Sequence, residues 1–306
     1  MMNQLRRTML FVPGNNPGML RDAGIYPSDC IIFDLEDSVS LNEKDGARFL
    51  VHEALSRLSY NDKELFVRVN PLESEFGRED LEAVVSTGKA AVRLPKTENA
   101  QDILDCEREI ERIEKVRGIE VGKTKMMAAV ETAEGVLNAR EIAKASKRIV
   151  AISIGAEDFV ADLKTTRSKA GTELFFARNM ILLAARSAGI SAIDTVFSDV
   201  NDEVGLREEV ALIKQLGFDG KSIINPRQVY PVHEIFAPTP SEIEKAIAII
   251  EAIEEAEKRG SGVVALNGKM IDKPVADRAR RTIDIAMAIG VIQKKDQDSA
   301  YQEVLE

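Results

Sequence analysis

Eight short apolar runs, most of them separated by helical patterns, are the feature that most limits how this chain can fold. The runs are rich in Val, Ile and Ala and lack hydrophobic–polar alternation, which is typical of strands buried on both faces of a parallel sheet. Strands that alternate with helices predict βαβ units, and eight of them predict a closed (β/α)8 TIM barrel. The predicted strands are residues 8–12, 30–35, 65–69, 91–94, 125–130, 149–154, 192–195 and 222–224, and the predicted helices are residues 47–58, 80–86, 100–116, 133–145, 174–188 and 203–216.

An open doubly wound sheet is the alternative to the barrel. That fold predicts a phosphate-binding Gly-x-Gly-x-x-Gly motif near the start of the chain. Gly14 and Gly18 lie in the right region, but their spacing does not match the motif. We therefore favour the barrel.

Residues 227–306 follow the eighth predicted strand and are not needed to close a barrel. Residues 240–258 predict an amphipathic helix, with acidic residues in its first turn. A polar turn at 267–274 then leads into another helix, expected to end at about Ile292, and such an arrangement is typical of a lid or an inter-subunit arm. We expect a catalytic barrel at 1–238 and a C-terminal helical extension and lid at 239–306.

Composition and residue counts exclude several classes of protein. The net charge of −10 disfavours nucleic acid or an anionic membrane as the main partner, since both require a basic face. No apolar stretch approaches the length of a membrane span, and residues 1–12 are too short and too charged for a signal peptide, so we expect a cytoplasmic protein. Neither His52 nor His233 follows a predicted strand, which disfavours a Ser-His-Asp triad. Cys30 and Cys106 are expected to be reduced.

Two carboxylates follow neighbouring predicted strands, at the end of the barrel where active sites form. Glu131 follows the fifth strand and Asp158 the sixth, so we expect them to lie within reach of one ion and to meet the substrate there. Oxygen ligands without nearby His or Cys favour Mg2+, with Mn2+ as a possible substitute, over Zn2+. The alternative interpretation is ion pairing with Arg68 or Lys96, and Glu157 is a second candidate ligand.

Arg68 lies inside an apolar strand, where a permanent charge requires a carboxylate partner. Two interpretations stay open: a structural ion pair with Glu36 or Asp37, and bidentate binding of a substrate carboxylate. We favour Glu36 and Asp37 as supporting groups that hold Arg68 or the waters of the metal. Lys96 follows the fourth strand, where a lysine can form a Schiff base. Since the metal would do the same electrophilic work, a salt bridge or a substrate contact is expected for Lys96 instead.

A divalent cation beside an arginine suits a 2-keto acid as ligand. The cation can chelate the carboxylate and carbonyl oxygens together, while the arginine neutralises a second carboxylate. Such a site stabilises enolates, so it supports the cleavage or formation of carbon–carbon bonds.

Six short motifs occur in order along the chain: residues 7–14 (RTMLFVPG), 33–39 (FDLEDSV), 67–70 (VRVN), 93–96 (RLPK), 131–135 (ETAEG) and 155–159 (GAEDF). Together they resemble the 2-keto-acid aldolase and citrate lyase family, and the similarity extends from about Arg6 to Asp272. Further segments are similar to the branch of that family that acts on carrier-bound citryl thioesters, namely residues 175–178, 194–200, 216–222 and 266–270.

The resemblance implies a TIM barrel that cleaves a citryl thioester, held on an acyl carrier protein, into oxaloacetate and the acetyl thioester. It implies that Glu131 and Asp158 hold Mg2+, that Arg68 binds a carboxylate of oxaloacetate, and that Asp272 acts as acid or base, from the adjacent subunit in stand-alone relatives. It also implies a homo-oligomer, often a trimer, within a larger complex that contains an alpha subunit and an acyl carrier (gamma) subunit.

Asn225 departs from the pattern of many CoA-using relatives, which have His at this position, and this disfavours free CoA esters as substrates. Two alternatives stay open: a stand-alone lyase for citramalyl-CoA or malyl-CoA, and a docking subunit that is inactive alone. Docking to an acidic carrier protein requires a local basic patch. The candidates for that patch are Arg178 and Arg186, or Arg278, Arg280 and Arg281.

Overall fold

The computed structural model of the chain describes residues 4–266, 268–294 and 301–303. The chain divides into two compact units, one from Arg6 to His233 and one from Glu234 onward that also includes the first residues up to Leu5. None of the helices in the described ranges combines the length and the apolar character that a membrane crossing requires.

The first unit is a closed barrel of eight parallel strands, which confirms the predicted (β/α)8 fold. Neighbours in the chain are neighbours in the barrel, and β1 closes it by pairing with β8. Side chains from alternating strand positions fill the interior with a buried apolar layer that includes Ile32, Phe66 and Met127. The strands are β1 Thr8–Pro13, β2 Cys30–Asp34, β3 Glu64–Arg68, β4 Ala91–Leu94, β5 Met126–Val130, β6 Ile149–Ile154, β7 Ser191–Asp194 and β8 Gly220–Ile223.

Helices connect the strands and surround the barrel. They are α1 Pro17–Asp22, α2 Lys44–Arg57, α3 Gly77–Val85, α4 Ala100–Arg117, α5 Ala133–Leu137, α6 Ala139–Lys144, α7 Ala156–Asp162, α8 Thr172–Ala188, α9 Glu203–Leu216 and α10 Val229–Phe236, with 3-10 turns at Ala23–Ile25, Leu41–Glu43 and Pro226–Gln228. The single helix predicted at 133–145 is wrong, because Asn138 interrupts it. The amide of Asn138 donates to the Glu98 carbonyl at 2.9 Å, a contact distant in sequence that periodicity does not reveal.

A buried network of charges joins β7 and β8 to the surrounding helices. Arg178 donates to both oxygens of Asp194, at 2.8 and 3.0 Å, and Lys221 Nζ donates to Asp194 Oδ2 at 2.9 Å. Glu209 accepts from the same two cations, and Arg178, Asp194 and Lys221 are all buried. Arg178 is therefore wrong as a candidate for the docking patch, since its side chain is paired with Asp194 inside the protein.

The second unit contains two long helices and two short hairpins. They are α11 Pro240–Lys258, α12 Lys273–Ala288, a hairpin of β9 Val264–Leu266 with β10 Lys269–Ile271, and a hairpin of β11 Ile292–Lys294 with β12 Tyr301–Glu303. Isoleucines of α11 and α12 form its buried core. The helix expected to reach Ile292 ends at Ala288, so that prediction is wrong at its end. Asn267, in the polar turn quoted above, lies outside the described residues.

Candidate active site

Arg68, the last residue of β3, lies at the carboxyl-terminal rim of the barrel with Asp34, the last residue of β2, directly opposite it in the sheet register. Its Nε and Nη2 donate to the two oxygens of Asp34, each at 2.7 Å. This bidentate pair fixes the plane of the guanidinium. Burial raises the pKa of Asp34, but the hydrogen bonds and charge of Arg68 outweigh it, and the net shift is downward.

The remaining nitrogen of Arg68 faces the acidic rim. Nη1 lies 2.9 Å from Glu36 Oε2 and 3.2 Å from Asp37 Oδ2. The side chain of Glu36 is buried, whereas that of Asp37 is 54% exposed. Arg68 is therefore held in place by Asp34 along one edge of its guanidinium, and its Nη1 contacts the exposed carboxylate of Asp37. A substrate carboxylate could replace Asp37 at Nη1 without breaking the pair with Asp34.

Glu36 lies between two cations, since Lys96 Nζ approaches its Oε1 at 3.3 Å while Arg68 holds Oε2. Burial raises the pKa of Glu36 to about 7, and the charges of Asp37 and Glu131 add to the rise while Arg68 and Lys96 oppose it. Glu36 is thus a carboxylate whose charge depends on its cationic neighbours.

A network of hydrogen bonds braces the segment after β2 that contains Glu36 and Asp37. Lys44 Nζ donates to the backbone carbonyls of Leu35 and Glu36, at 2.8 and 2.7 Å, and to Asn70 Oδ1 at 2.8 Å. Asn70 in turn donates to Asp80 and to the Leu35 carbonyl. These buried contacts fix the acidic segment to the loop after β3.

Glu131 follows β5 and is buried, with only 2% of its surface exposed. Lys96 adopts a left-handed backbone conformation, with φ of 47°, and its N–H donates to Glu131 Oε2 at 3.3 Å. Burial raises the pKa of Glu131 and Asp158 adds to that rise, whereas Arg93 and Arg68 oppose it.

Gly155 makes room for the Glu131 side chain. A Cβ atom at position 155 would lie 2.6 Å from Glu131 Cγ and 2.7 Å from Oε1, closer than non-bonded atoms can approach. The backbone of Gly155 has φ of −103°, a conformation open to any residue. The glycine is therefore required by the carboxylate that packs against it.

Asp158 lies in the first turn of α7 and is exposed, so its carboxylate faces solvent at the same rim. Its charge acts on Glu131 and on Lys96, which places the three groups near one another. Within the described residues, no group of three or more His, Cys, Asp or Glu side chains is arranged to hold a metal ion. Two carboxylates with water and ligand oxygens are nevertheless the set that suits Mg2+, which seldom uses a cage made only of protein groups.

The Lys96 amine is not placed for Schiff-base chemistry. Its side chain is 45% exposed and forms an ion pair with Glu36. Partial burial lowers the pKa of Lys96, but the charge and hydrogen bond of Glu36 outweigh it, and the net shift is upward. A more basic amine is protonated and not nucleophilic, so these contacts favour charge pairing or anion binding by Lys96.

A cleft of about 470 Å3 opens beside these groups. Its walls include Glu36, Asp37 and Lys96 on one side and residues of the loop after β3, such as Ser74 and Phe76, on the other. The cleft gives an extended ligand a path to the rim.

Asp272 belongs to the second unit, where its side chain caps the start of α12 by accepting from the Val275 N–H at 3.2 Å. Asn225 caps the 3-10 turn after β8 in a similar way, by accepting from the Arg227 N–H at 3.0 Å. Both side chains therefore have a local structural role.

Two residues of the site were missed in the sequence. Asp34 is the main partner of Arg68, whereas Glu36 and Asp37 were favoured; the signal was the alternation of the strand, which places Asp34 and Glu36 on one face. Arg93 is a second arginine inside an apolar strand, and the reasoning applied to Arg68 applies to it equally. The Arg93 guanidinium is buried in the barrel interior.

Comparison with known proteins identifies the family of this site. A family model described as HpcH/HpaI aldolase/citrate lyase matches residues 7–226, which include all eight strands of the barrel. The chain belongs to the HpcH/HpaI aldolase/citrate lyase family. The resemblance noted from the six sequence motifs is thereby confirmed.

Members of the HpcH/HpaI aldolase/citrate lyase family with assigned names are similar to this chain over nearly their full lengths. The citrate lyase subunit beta of Haemophilus influenzae is 57% identical over 283 residues, which cover 92% of this chain and 97% of that protein. A (3S)-malyl-CoA thioesterase of Cereibacter sphaeroides is more distant, at 36% identity over 287 residues that cover 94% of this chain and 96% of that protein.

Solved structures of the family show the same fold. The protein CitE from Mycobacterium tuberculosis, in complex with magnesium, acetoacetate and coenzyme A, has a TM-score of 0.76 and 29% identity, covering 93% of this chain and 99% of that one. A citrate lyase beta subunit from the same organism, complexed with oxaloacetate and magnesium, has a TM-score of 0.66 and 30% identity, covering 78% of this chain and 99% of that one.

Proposed function

We propose that this chain is a magnesium-dependent carbon–carbon lyase that cleaves a citryl thioester, held on an acyl carrier protein, into oxaloacetate and the acetyl thioester. The observation that supports this most is that an anchored arginine, Arg68, and the carboxylates Glu131 and Asp158 lie at the same rim of the barrel. The 57% identity to a protein named citrate lyase subunit beta supports the choice of substrate.

Mg2+ is the cation that fits this site. Glu131 and Asp158 would hold it, and the space that Gly155 leaves for the Glu131 side chain fits a carboxylate fixed in one position. Both donors are oxygens, as Mg2+ prefers, and Mn2+ is the expected substitute. When bound, the cation supplies positive charge that stabilises oxyanions beside it. Two relatives of known structure contain magnesium, one together with oxaloacetate.

The other rim residues bind and orient the substrate. Arg68, held by Asp34, receives a substrate carboxylate at Nη1, and Lys96 offers its ammonium to the same anion. Glu36 acts behind them, because it contacts both Arg68 and Lys96, while Asp37 holds Arg68 Nη1 until the substrate carboxylate takes its place. These contacts fix the scissile bond against the acidic rim.

Cleavage transfers one proton from the citryl hydroxyl, breaks one carbon–carbon bond and adds one proton to the enolate carbon. A base removes the proton of the citryl hydroxyl, the bond between the hydroxyl carbon and the thioester α-carbon breaks, and its electron pair forms the thioester enolate. The hydroxyl carbon becomes the keto carbon of oxaloacetate. An acid then protonates the enolate carbon to give the acetyl thioester, and we assign this step to Asp272, of this or an adjacent subunit, or to a water.

The chain is also expected to act within an assembly of subunits. We infer a homo-oligomer of this chain, trimeric in the simplest form, in a cytoplasmic complex with a citrate lyase alpha subunit and an acyl carrier, or gamma, subunit. The subunit name of the H. influenzae relative supports the complex. Cys30 and Cys106 are both buried thiols, which suits a reducing compartment. Arg278, Arg280 and Arg281 of α12 are exposed and remain candidates for carrier docking, as does Arg186 of α8, which is exposed and pairs with Asp219.

A stand-alone lyase for citramalyl-CoA or malyl-CoA is the second candidate function. The (3S)-malyl-CoA thioesterase of C. sphaeroides and the coenzyme A complex of CitE favour it. A subunit that only docks the carrier is the third, and the nearly complete set of rim residues argues against it.

The rate of oxo-acid release from four thioesters tests the proposal. The purified chain is given carrier-bound citryl, citryl-CoA, malyl-CoA or citramalyl-CoA, each with Mg2+ and with EDTA, and oxaloacetate is measured for the two citryl thioesters and the corresponding oxo-acid product for the other two. Fastest Mg2+-dependent release from carrier-bound citryl supports the proposal. Faster cleavage of malyl-CoA or citramalyl-CoA would transfer support to the second candidate, and no release from any thioester would leave the docking subunit.

Replacing Gly155 by Ala should displace the Glu131 carboxylate. The new Cβ would lie 2.6 Å from Glu131 Cγ, so the side chain must move away from its position at the rim. We expect Mg2+ affinity, measured by calorimetry, to fall about 10- to 100-fold, as when a group that orients a metal ligand is lost. Gly46→Ala is the matched control, because a Cβ at position 46 meets nothing within 4 Å. Unchanged Mg2+ affinity in Gly155→Ala would show that Glu131 is not a ligand.

A further inference from the structure

Arg93 is a permanent charge enclosed in the barrel. It lies on β4, in register with Arg68 of β3 and Met127 of β5, and it is only 3% exposed. Its Nη1 donates to Ser153 Oγ of β6 at 2.9 Å, and its guanidinium lies 5.3 Å from the centre of the Phe11 ring of β1. Contacts with three other strands place its side chain in the barrel interior.

The hydrogen-bonding capacity of Arg93 is only partly used. Its Nε is buried and has no hydrogen-bond partner among the described residues, while its Nη1 contacts the hydroxyl of Ser153 and the sulfur of Met127. A buried guanidinium without a bonded carboxylate is costly, because burial removes the charge from water. The cost of burying the Arg93 charge must therefore be offset by negative charges nearby.

Glu131 provides that negative charge. Its carboxylate is the charge that acts most strongly on Arg93, and Arg93 is the cation that acts most strongly on Glu131. Burial lowers the pKa of Arg93 to about 10, which leaves the guanidinium protonated at neutral pH. The geometry brings the two side chains to the same part of the barrel, because Arg93 donates to Ser153 and Glu131 packs against Gly155, two residues farther along the chain.

We propose that Arg93 is a positioning residue of the site, a fixed positive charge inside the barrel that sets the balance between binding the cation and binding the anionic substrate. This rests on the proposed function only in naming Mg2+ and oxaloacetate as the ligands. A positive charge near Glu131 weakens the attraction of the rim for Mg2+ and strengthens its attraction for a di- or tricarboxylate.

The proposal predicts opposite changes for the two ligands when the charge is removed. In Arg93→Met, which keeps an unbranched chain of similar length, Mg2+ should bind about threefold to tenfold more tightly. Oxaloacetate, measured with saturating Mg2+, should bind about tenfold more weakly, the size expected for loss of one charge pair in a medium of intermediate dielectric. A loss of structure would weaken both ligands together, so the opposite signs separate charge from packing.

Calorimetry of each ligand with the full chain makes the test. Mg2+ is titrated alone into wild type, Arg93→Met and Arg93→Lys, in mildly alkaline buffer so that protons do not compete at Glu131. Arg93→Lys retains a cationic side chain but loses the planar fork and the stacking on Phe11, so both affinities should change less than in Arg93→Met. If Arg93→Met does not fold, as judged by circular dichroism, Arg93→Gln takes its place as the neutral variant and the same signs are expected.

The proposal is supported if the neutral variant binds Mg2+ more tightly and oxaloacetate more weakly than wild type, and if Arg93→Lys changes both affinities less. Weaker binding of both ligands, or no change in either, would overturn it and leave Arg93 as part of the packing. The Mg2+ titration needs no turnover, so it stays decisive even if the chain releases no oxaloacetate from any thioester. Failure of the proposed function and failure of this inference are thereby distinguished.

Discussion

Glu131→Gln should lower kcat/KM for thioester cleavage by about three orders of magnitude. The cation held at the rim contributes several kcal/mol to transition-state stabilisation, and each 1.4 kcal/mol or so corresponds to a factor of ten in rate. The amide keeps the size of the side chain but loses its charge, and its NH2 group repels a cation. Steady-state kinetics with Mg2+ varied at each substrate concentration will measure the loss.

The control for Glu131→Gln is Glu141→Gln, which makes the same change at an exposed position of α6. It should leave kcat/KM within about twofold of wild type, as expected for a surface substitution. If Glu131→Gln retained more than about a tenth of wild-type activity, Glu131 would not be the ligand that the proposed mechanism requires.

Asp194→Asn should destabilise the barrel by about 3–5 kcal/mol, the range measured when one partner of a buried ion pair is removed. Asp194 is fully buried, and its two oxygens satisfy Arg178 and Lys221, which are buried as well. The variant leaves two cations with Glu209 as their remaining carboxylate. Urea unfolding followed by circular dichroism will give the change in the free energy of unfolding.

The destabilisation should depend on pH in a defined direction. Burial raises the pKa of Asp194, but Lys221 and Arg178 outweigh it and the net shift is downward from the usual 3.8. A carboxylate with a lowered pKa stabilises the folded state above its unfolded pKa and loses that contribution as pH falls through the folded value. The difference between wild type and Asp194→Asn should therefore be constant near neutral pH and narrow below pH 3.8.

Glu203→Gln provides the comparison for Asp194→Asn. Glu203 lies in the first turn of α9 and forms an exposed pair with Arg207, with 62% of its side chain in solvent. Exposed pairs one helical turn apart contribute about 0.3–0.5 kcal/mol. A loss below about 1 kcal/mol in Asp194→Asn would contradict the view that the network is a main source of barrel stability.

The strands could be predicted because the barrel imposes its own pattern on the sequence. Strands buried on both faces are uninterrupted apolar runs, so β4 and β6 were placed at their observed bounds, 91–94 and 149–154. The rim residues could be named for a related reason, since a parallel barrel collects its strand ends on one side. The break at Asn138 involves a contact distant in sequence, which hydrophobic periodicity does not encode, whereas the early end of α12 follows a local signal, Gly290 with φ of 79°.

Which side chains contact each other at the rim was harder to predict than which residues lie there. Glu36 and Asp37 both contact Arg68, but its bidentate partner is Asp34; strand alternation makes Asp34 a candidate, and the register of β2 against β3 selects it. Arg178 looked like a surface charge because it lies on a helix, yet that helix turns it toward Asp194. Periodicity in the sequence predicts the face of the helix or strand from which a long side chain projects. The ion-pair partner of that side chain depends on how the neighbouring helices and strands are placed.

Calorimetric titration of oxaloacetate into the wild-type chain, with Mg2+ and again after its removal with EDTA, tests the central claim most directly. A single site built from Arg68, Glu131 and Asp158 predicts saturable binding of one oxaloacetate per chain when Mg2+ is present. It predicts no measurable binding at the same concentrations once Mg2+ is removed, and weaker binding with Mg2+ in Asp158→Asn. Oxaloacetate affinity that is equal with and without Mg2+ would contradict the claim that these residues form one composite site.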